Sequence, residues 1–113
     1  MTGAEAEDAA LRLLQRAGLR LVTRNFRARG GELDLVMLDG DTLVVAEVRA
    51  RAGAAFGGAL ESVDARKCRR IILAAQLFLA AHPEHASRPL RFDVVAYEGA
   101  SPARWLRGAF DGF

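Results

Sequence analysis

Three acidic side chains and one arginine lie on two short apolar segments, Gly31-Glu32-Leu33-Asp34-Leu35-Val36 and Val44-Val45-Ala46-Glu47-Val48-Arg49. Apolar residues alternate with other types in both segments, which predicts β-strands whose successive side chains point to opposite faces. This alternation places Glu32 and Asp34 on one face of the first strand. It likewise places Glu47 and Arg49 together on one face of the second strand.

The turn between the two segments predicts that the strands pair. Residues 38–42 contain Asp39-Gly40, and Asp-Gly is the strongest short-range signal for a hairpin, so we expect antiparallel pairing. Leu33 and Leu35 would share the apolar face of the first strand. The acidic side chains and the guanidinium would converge on the other face.

Converging carboxylates of this kind indicate a metal site. Burying like charges is unfavourable unless something compensates, and a divalent cation with oxygen ligands is the usual compensation. Asp34 and Glu47 are therefore candidate ligands for Mg²⁺ or Mn²⁺, with water completing the coordination shell. The alternative is that both are solvated side chains of an exposed strand.

An acid on one strand, followed across a hairpin by acid-x-base on the next, resembles the core of the PD-(D/E)XK nuclease superfamily. A longer ordered set of motifs resembles the YraN-like family, which comprises small bacterial proteins related to archaeal Holliday-junction resolvases. The motifs are Gly3-x-x-Ala6-Glu7-x-x-Ala10, Asn25-Phe26-Arg27, Gly31-Glu32-Leu33-Asp34, Glu47-Val48-Arg49-x-Arg51, Phe56-Gly57, Lys67 and Arg91-Phe92-Asp93-Val94-Val95. The resemblance implies hydrolysis of DNA phosphodiester bonds, branched DNA as a reasonable substrate and a homodimer as a reasonable state.

The resemblance also implies roles for residues around the hairpin. Glu7 matches an acid that the superfamily often supplies from its first helix, although a favourable charge in a first helical turn explains it equally well. The Val48 carbonyl would add a metal ligand. Glu32 would orient the site, or bind a backbone group of Asn25 or Arg27.

Arg49 stands where the superfamily usually has lysine. Arginine stays charged at any working pH, so Arg49 cannot abstract a proton from water. It can still stabilise negative charge that develops at a phosphate, and activation of the water would then fall to the metal.

Five further basic residues are candidates for phosphate contacts because they flank the hairpin or lie on the second helix: Arg27, Arg29, Arg51, Lys67 and Arg70. A basic helix face is more often simply solvated, and Arg70 is open to that interpretation. The net charge of +2 does not by itself indicate a nucleic-acid-binding protein.

Length and composition predict one domain over residues 1–113, with a core at about 3–98 and a tail at 99–113. The single cysteine, Cys68, excludes an intramolecular disulfide and a cysteine-based zinc site. No apolar run approaches the roughly 18 to 20 residues that span a bilayer, so we expect a cytoplasmic protein without a membrane partner.

The periodicity predicts an α/β fold with the order α-β-β-β-α-β and a mixed four-stranded sheet flanked by helices. This is the restriction-endonuclease-like core, in which the strands before and after the second helix are parallel because the helix connects them. The predicted elements are a helix at 4–17, a strand at Leu19–Thr23, a basic loop at Arg24–Gly30, strands at 31–38 and 42–51, a loop at Ala52–Ala59, a helix from about Leu60 to Ala81 and a strand at Leu90–Glu98.

Two other functions stay open at this point. The first is a nucleic-acid-binding module that keeps the nuclease fold without turnover, which Arg49 and the modest net charge favour. The second is a structural or interaction protein whose tail docks a partner through Trp105 and Phe110, since neither residue lies in a pattern typical of regular structure. His82 and His85 show no metal-ligand spacing, and we interpret both as surface residues.

Overall fold

Five strands form one mixed sheet and are arranged in it in the order in which they occur along the chain. The computed structural model describes residues 1–52, 59 and 62–112. Its elements are α1 (Gly3–Arg16), β1 (Arg20–Ala28), β2 (Gly31–Asp39), β3 (Thr42–Arg51), α2 (Ala65–Ala81), a short 3₁₀ helix (Pro83–His85), β4 (Leu90–Glu98) and β5 (Arg104–Phe110). The α/β class is therefore confirmed, with five strands where the sequence predicted four.

The pairing of the strands follows the predicted hairpin and crossover. β2 and β3 pair antiparallel down to Asp39 opposite Thr42, and Gly40 in the turn has a φ of 59° that glycine adopts without strain. β3 and β4 pair in parallel, as a helical connection between them requires. β1 and β5 are the two edges of the sheet.

The two helices cover opposite faces of the sheet. A capping box starts α1, in which Thr2 and Glu5 bond each other's backbone N–H. The Asp64 side chain starts α2 by accepting a hydrogen bond from the Lys67 N–H (2.9 Å). The buried helix residues are Ala6, Ala10 and Leu14 on the α1 side and Ile71, Ala74, Ala75 and Phe78 on the α2 side.

The predicted start of the second helix near Leu60 was wrong, because the Asp64 cap places the first residue of α2 at Ala65. The Phe56-Gly57 motif lies outside the described residues, as does most of the predicted loop at 52–59. No helix in the described ranges has the length and apolar character that crossing a membrane requires.

The basic segment Arg24–Gly30 was predicted to be a loop, and this was wrong over most of its length. β1 continues to Ala28 and pairs with β2 up to the turn at Gly30. Phe26 anchors this part of the strand by packing edge-on against Phe78 of α2, with ring centroids 5.2 Å apart. The arginines around it are tolerated because an edge strand leaves their side chains in contact with water.

The C-terminal tail shows no sequence pattern typical of regular structure, and it nevertheless forms β5 against β4. Asp93 is buried and accepts hydrogen bonds from Trp105 Nε1 (3.0 Å), from the Gly108 N–H (3.0 Å) and from Arg91 Nε (2.9 Å). A register irregularity opposite Asp93, with a φ of 61° at Gly108, interrupts the alternation that would have revealed the strand.

Removing the Asp93 carboxylate should destabilise the fold, because Arg91 and Trp105 would lose their buried acceptor. We expect Asp93→Ala to lower the free energy of unfolding by about 3 to 5 kcal/mol in urea denaturation. The matched control is Asp111→Ala, at an exposed position in the same C-terminal region, which should change stability by less than about 0.5 kcal/mol. Equal effects of the two substitutions would contradict the role of Asp93 in holding β5.

Candidate functional site

The site lies where β2 and β3 stop pairing through their backbones. Their ladder extends from Asp39 opposite Thr42 to Leu35 opposite Ala46, and the same register places Asp34 opposite Glu47. At this point a side chain replaces the backbone as the link between the strands: Asp34 Oδ2 accepts a hydrogen bond from the Val48 N–H at 2.9 Å. The bond fixes Asp34 beside β3 while the strands separate.

The first strand also changes the direction of its side chains at Asp34. Leu33 packs in the core on the α2 side, whereas Leu35 packs in the core on the α1 side. The prediction that these two leucines share a face was therefore wrong. On the neighbouring strand β1, Asn25 lies opposite this point. Its φ is 54°, a left-handed conformation that asparagine tolerates better than most residues. This local reversal brings Asp34 to a point that side chains from both faces of the sheet can reach.

Glu47 is almost fully buried, with 2% of its side chain exposed. Its Oε1 lies 3.1 Å from Lys67 Nζ and 4.0 Å from Arg49 Nη1. Its Oε2 is buried and has no hydrogen-bond partner among the described residues. A buried carboxylate oxygen without a protein partner is costly, so this atom is the one in the site best suited to bind a cation.

The electrostatics of the site reflect crowded negative charge. The pKa of Glu47 is raised to about 8. Burial is the largest cause, the charge of Asp34 is the next, and the charge of Lys67 opposes the shift. The pKa of Glu7 is also raised, first by burial and then by the charge of Asp34. Positive charge added between these carboxylates would favour their ionised forms.

These side chains line a cavity of about 330 Å³. Glu7 lines it from α1 and Lys67 from α2, and the other lining residues come from the N-terminal end of the chain and from β2 and β3. Its lining consists of Met1, Gly3, Ala6, Glu7, Glu32, Asp34, Glu47, Val48, Arg49, Ala50, Arg51 and Lys67. Most of the predicted site residues therefore meet in one place.

Arg49 is held in place by a hydrogen bond to a residue that does not belong to the carboxylate pair. Its Nε donates a hydrogen bond to Ser62 Oγ at 2.8 Å, and Ser62 in turn donates to the Ala59 carbonyl. This bond leaves the far end of the guanidinium near Glu47. No local pattern in the chain singles out Ser62 as a partner of Arg49.

The donors available to a metal ion are few. Within residues 1–52, 59 and 62–112, no set of three or more His, Cys, Asp and Glu side chains is arranged to hold one. The site therefore offers Asp34 and the unpartnered oxygen of Glu47. One or two carboxylates with water in the other positions are the common ligands of Mg²⁺ in proteins, so this donor set fits that ion. The Val48 carbonyl stays a prediction as a third donor.

A second cavity of about 640 Å³ adjoins the first, and we call it the basic groove. It is lined by Arg27, Ala28, Gly30, Gly31, Glu32, Lys67, Arg70 and Ile71. A side chain at Gly31 would place its Cβ 2.7 Å from the Arg70 carbonyl oxygen, so only glycine fits where α2 approaches the β1–β2 turn. Arg27 Nε lies 3.5 Å from Glu32 Oε2, and the Arg27 side chain is 84% exposed.

Two predicted residues lie outside both cavities. Asn25 is exposed on β1, and its visible role is the backbone reversal opposite Asp34. Arg29 is exposed at the end of β1 and does not line either cavity. Glu32 pairs with the Arg27 side chain rather than with a backbone group.

Sequence reasoning missed the contact between Lys67 and Glu47. Lys67 was predicted to bind phosphate, and the structure places its ammonium against the most buried acid of the site. The available signal was that Lys67 is the single lysine of a chain otherwise rich in arginine. The contact itself depends on how α2 packs, which the local pattern does not reveal.

The Glu47 pKa predicts that the free energy of unfolding falls as pH rises. The folded-state value of about 8 exceeds the ordinary 4.5, so the folded state binds more protons than the unfolded chain between these values. The contribution is present below about pH 4.5 and is lost as pH rises through about 8. In buffer with EDTA, urea denaturation should show wild type losing up to about 1.4 kcal/mol per pH unit relative to Glu47→Gln. Parallel pH profiles for the two proteins would contradict this.

Comparison with known proteins agrees with the resemblance seen in the motifs. The model of the uncharacterised protein family UPF0102 matches residues 6–97. A UPF0102 protein of Pseudomonas entomophila is 56% identical over 96% of this chain and 92% of its own length. UPF0102 proteins of Pseudomonas putida strain GB-1 and Pseudomonas fluorescens are 54% and 56% identical, over 96% and 97% of this chain and 92% and 93% of their own lengths. The chain therefore belongs to UPF0102, the YraN family.

Proposed function

We propose that the protein is a metal-dependent nuclease that hydrolyses phosphodiester bonds in DNA. The observation that carries the proposal is the buried Glu47 Oε2, which has no partner among the described residues and lies beside Asp34 in an open cavity. Asp34 and Glu47 would hold Mg²⁺ or Mn²⁺, whose chemistry is to polarise a phosphoryl oxygen and to lower the pKa of a bound water.

The order of elements supports a restriction-endonuclease-like arrangement. α1, β1, β2, β3, α2 and β4 follow one another as that core requires, and β5 extends the sheet beyond β4. The carboxylates lie on the hairpin of β2 and β3, and both helices contribute side chains to the cavity. The family relationship supports the same assignment, while the activity itself rests on the site.

The residues around the carboxylates have separate roles in this proposal. The bond from Arg49 Nε to Ser62 orients the guanidinium, whose remaining N–H groups stabilise negative charge that develops on the phosphate. Arg49 does not take a proton, because its guanidinium stays charged. Glu7, at the rim of the cavity beside Asp34, adds negative charge that strengthens the attraction for a cation.

A nucleic-acid-binding module without turnover is the second candidate. The observation that favours it is Arg49, which stands where the superfamily usually has lysine. Its guanidinium stays charged, so it cannot accept a proton from water. No specific observation favours a partner-docking tail, since Trp105 bonds Asp93 and Phe110 stacks on Phe92 at 4.9 Å within this chain. Branched DNA as substrate and a homodimer remain proposals based on the relationship to junction resolvases.

Cleavage assays test the nuclease proposal directly. Wild type should cleave linear, single-stranded or four-way-junction DNA with Mg²⁺ or Mn²⁺, and EDTA should abolish the reaction. Glu47→Gln should lower the rate by about a thousandfold or more, because metal stabilisation of the transition state is worth several kcal/mol. The matched control is Glu84→Gln, at an exposed glutamate paired with His82 away from the cavity.

Each outcome separates the alternatives. DNA binding without cleavage under every metal condition would favour the binding module. Cleavage that survives Glu47→Gln would indicate a contaminating nuclease and would contradict the assigned site.

DNA affinity should depend on phosphate contacts in the basic groove, and therefore on salt. Arg27→Ala/Arg70→Ala should lower the slope of log K against log salt by about one to two units, at about 0.9 per lost contact. Arg12→Ala/Arg16→Ala, which removes two exposed arginines from α1 outside the groove, is the matched control and should leave the slope unchanged. An equal change in both double variants would mean that only the total charge matters.

A further inference from the structure

Lys67 lies where the two cavities meet. It lines the cavity that contains Asp34 and Glu47, which we call the carboxylate cavity, and it also lines the basic groove. Of the residues that line these two cavities, only Lys67 and Glu32 line both. Its position therefore separates the negative charge of Asp34 and Glu47 from the positive charge of Arg27 and Arg70. A phosphodiester strand that enters along the groove meets Lys67 before it reaches the carboxylates.

The base of the Lys67 side chain is fixed, and the side chain as a whole is partly exposed. The Lys67 N–H donates to Asp64 Oδ1 at 2.9 Å in the first turn of α2, and Nζ lies 3.1 Å from Glu47 Oε1. The side chain is 28% exposed, so solvent or a ligand can still reach it. An ammonium carries three donors, and the Glu47 contact uses one of them.

Arg49 is less well placed to make the same contact. Its nearest approach to Glu47 is 4.0 Å, against 3.1 Å for Lys67. Its Nε is already bonded to Ser62, and it lines the carboxylate cavity without reaching the basic groove. The cation that joins the groove to the carboxylates is therefore supplied by α2 and not by β3.

We infer that Lys67 contacts the phosphate that is cleaved, and that the next phosphate of the same strand lies in the basic groove between Arg27 and Arg70. This inference rests on the proposed nuclease function. Lys67 acts as a fixed positive charge and hydrogen-bond donor, which stabilises the charge gained by the phosphate in the transition state. The role requires no proton transfer to or from Lys67.

The test separates cleavage from metal binding in the Lys67→Met variant. Lys67→Met should lower the single-turnover cleavage rate by about a hundredfold, the usual loss when one preorganised donor is removed. Mn²⁺ binding should persist, since Asp34 and Glu47 remain. Lys67→Arg should cleave faster than Lys67→Met but slower than wild type, because arginine retains the positive charge but not the compact shape of the ammonium group. Arg12→Met, which removes an exposed arginine from α1, should cleave at the wild-type rate.

Three results would overturn the inference. A Lys67→Met variant that cleaves like wild type, while Glu47→Gln does not, would remove Lys67 from the reaction and leave the nuclease proposal standing. Loss of Mn²⁺ binding in parallel with cleavage would mean that Lys67 only supports the carboxylates. A wild-type protein that never cleaves DNA would remove both the nuclease function and this role. Thermal melting of Lys67→Met and of the double variant Lys67→Met/Glu47→Gln shows whether the loss of cleavage comes from unfolding. If the unpaired Glu47 destabilises Lys67→Met, the double variant should melt at a higher temperature than Lys67→Met.

Discussion

The hydrogen bond from the Val48 N–H to Asp34 Oδ2 is the interaction on which the site depends. It replaces a backbone contact at the point where the β2–β3 ladder ends, and it holds the two strands together as they separate. It thereby holds Asp34 beside β3 and close to Glu47.

Charge balance explains the residues that surround this pair. Asp34 and the buried Glu47 repel each other, which contributes to the raised pKa of Glu47, although burial is the larger cause. Lys67 and Arg49 approach only Glu47 Oε1, so Oε2 stays without a partner within the described part of the chain. The protein thus retains a cost to stability that a purely structural hairpin would avoid, which is typical of sites selected for binding.

Local patterns predicted the antiparallel hairpin on which Asp34 and Glu47 lie, because Asp-Gly turns and strand alternation are local signals. They failed at Leu33, whose direction follows the backbone reversal opposite Asn25, and at Gly108, where an irregularity hides β5. They also failed for Lys67, because its contact with Glu47 depends on the tertiary packing of α2 on the sheet. The acids of the site and Arg49 were therefore predictable, while the contact of Lys67 with Glu47 was not.

We propose that Asp34 and Glu47 together bind a divalent cation. Mn²⁺ titration followed by electron paramagnetic resonance tests it without requiring a substrate. We expect one site in wild type, loss of that site in Asp34→Asn and in Glu47→Gln, and its retention in Glu84→Gln, at an exposed glutamate that pairs with His82. Equal Mn²⁺ binding by wild type and both site variants, or no binding by wild type at millimolar Mn²⁺, would contradict it.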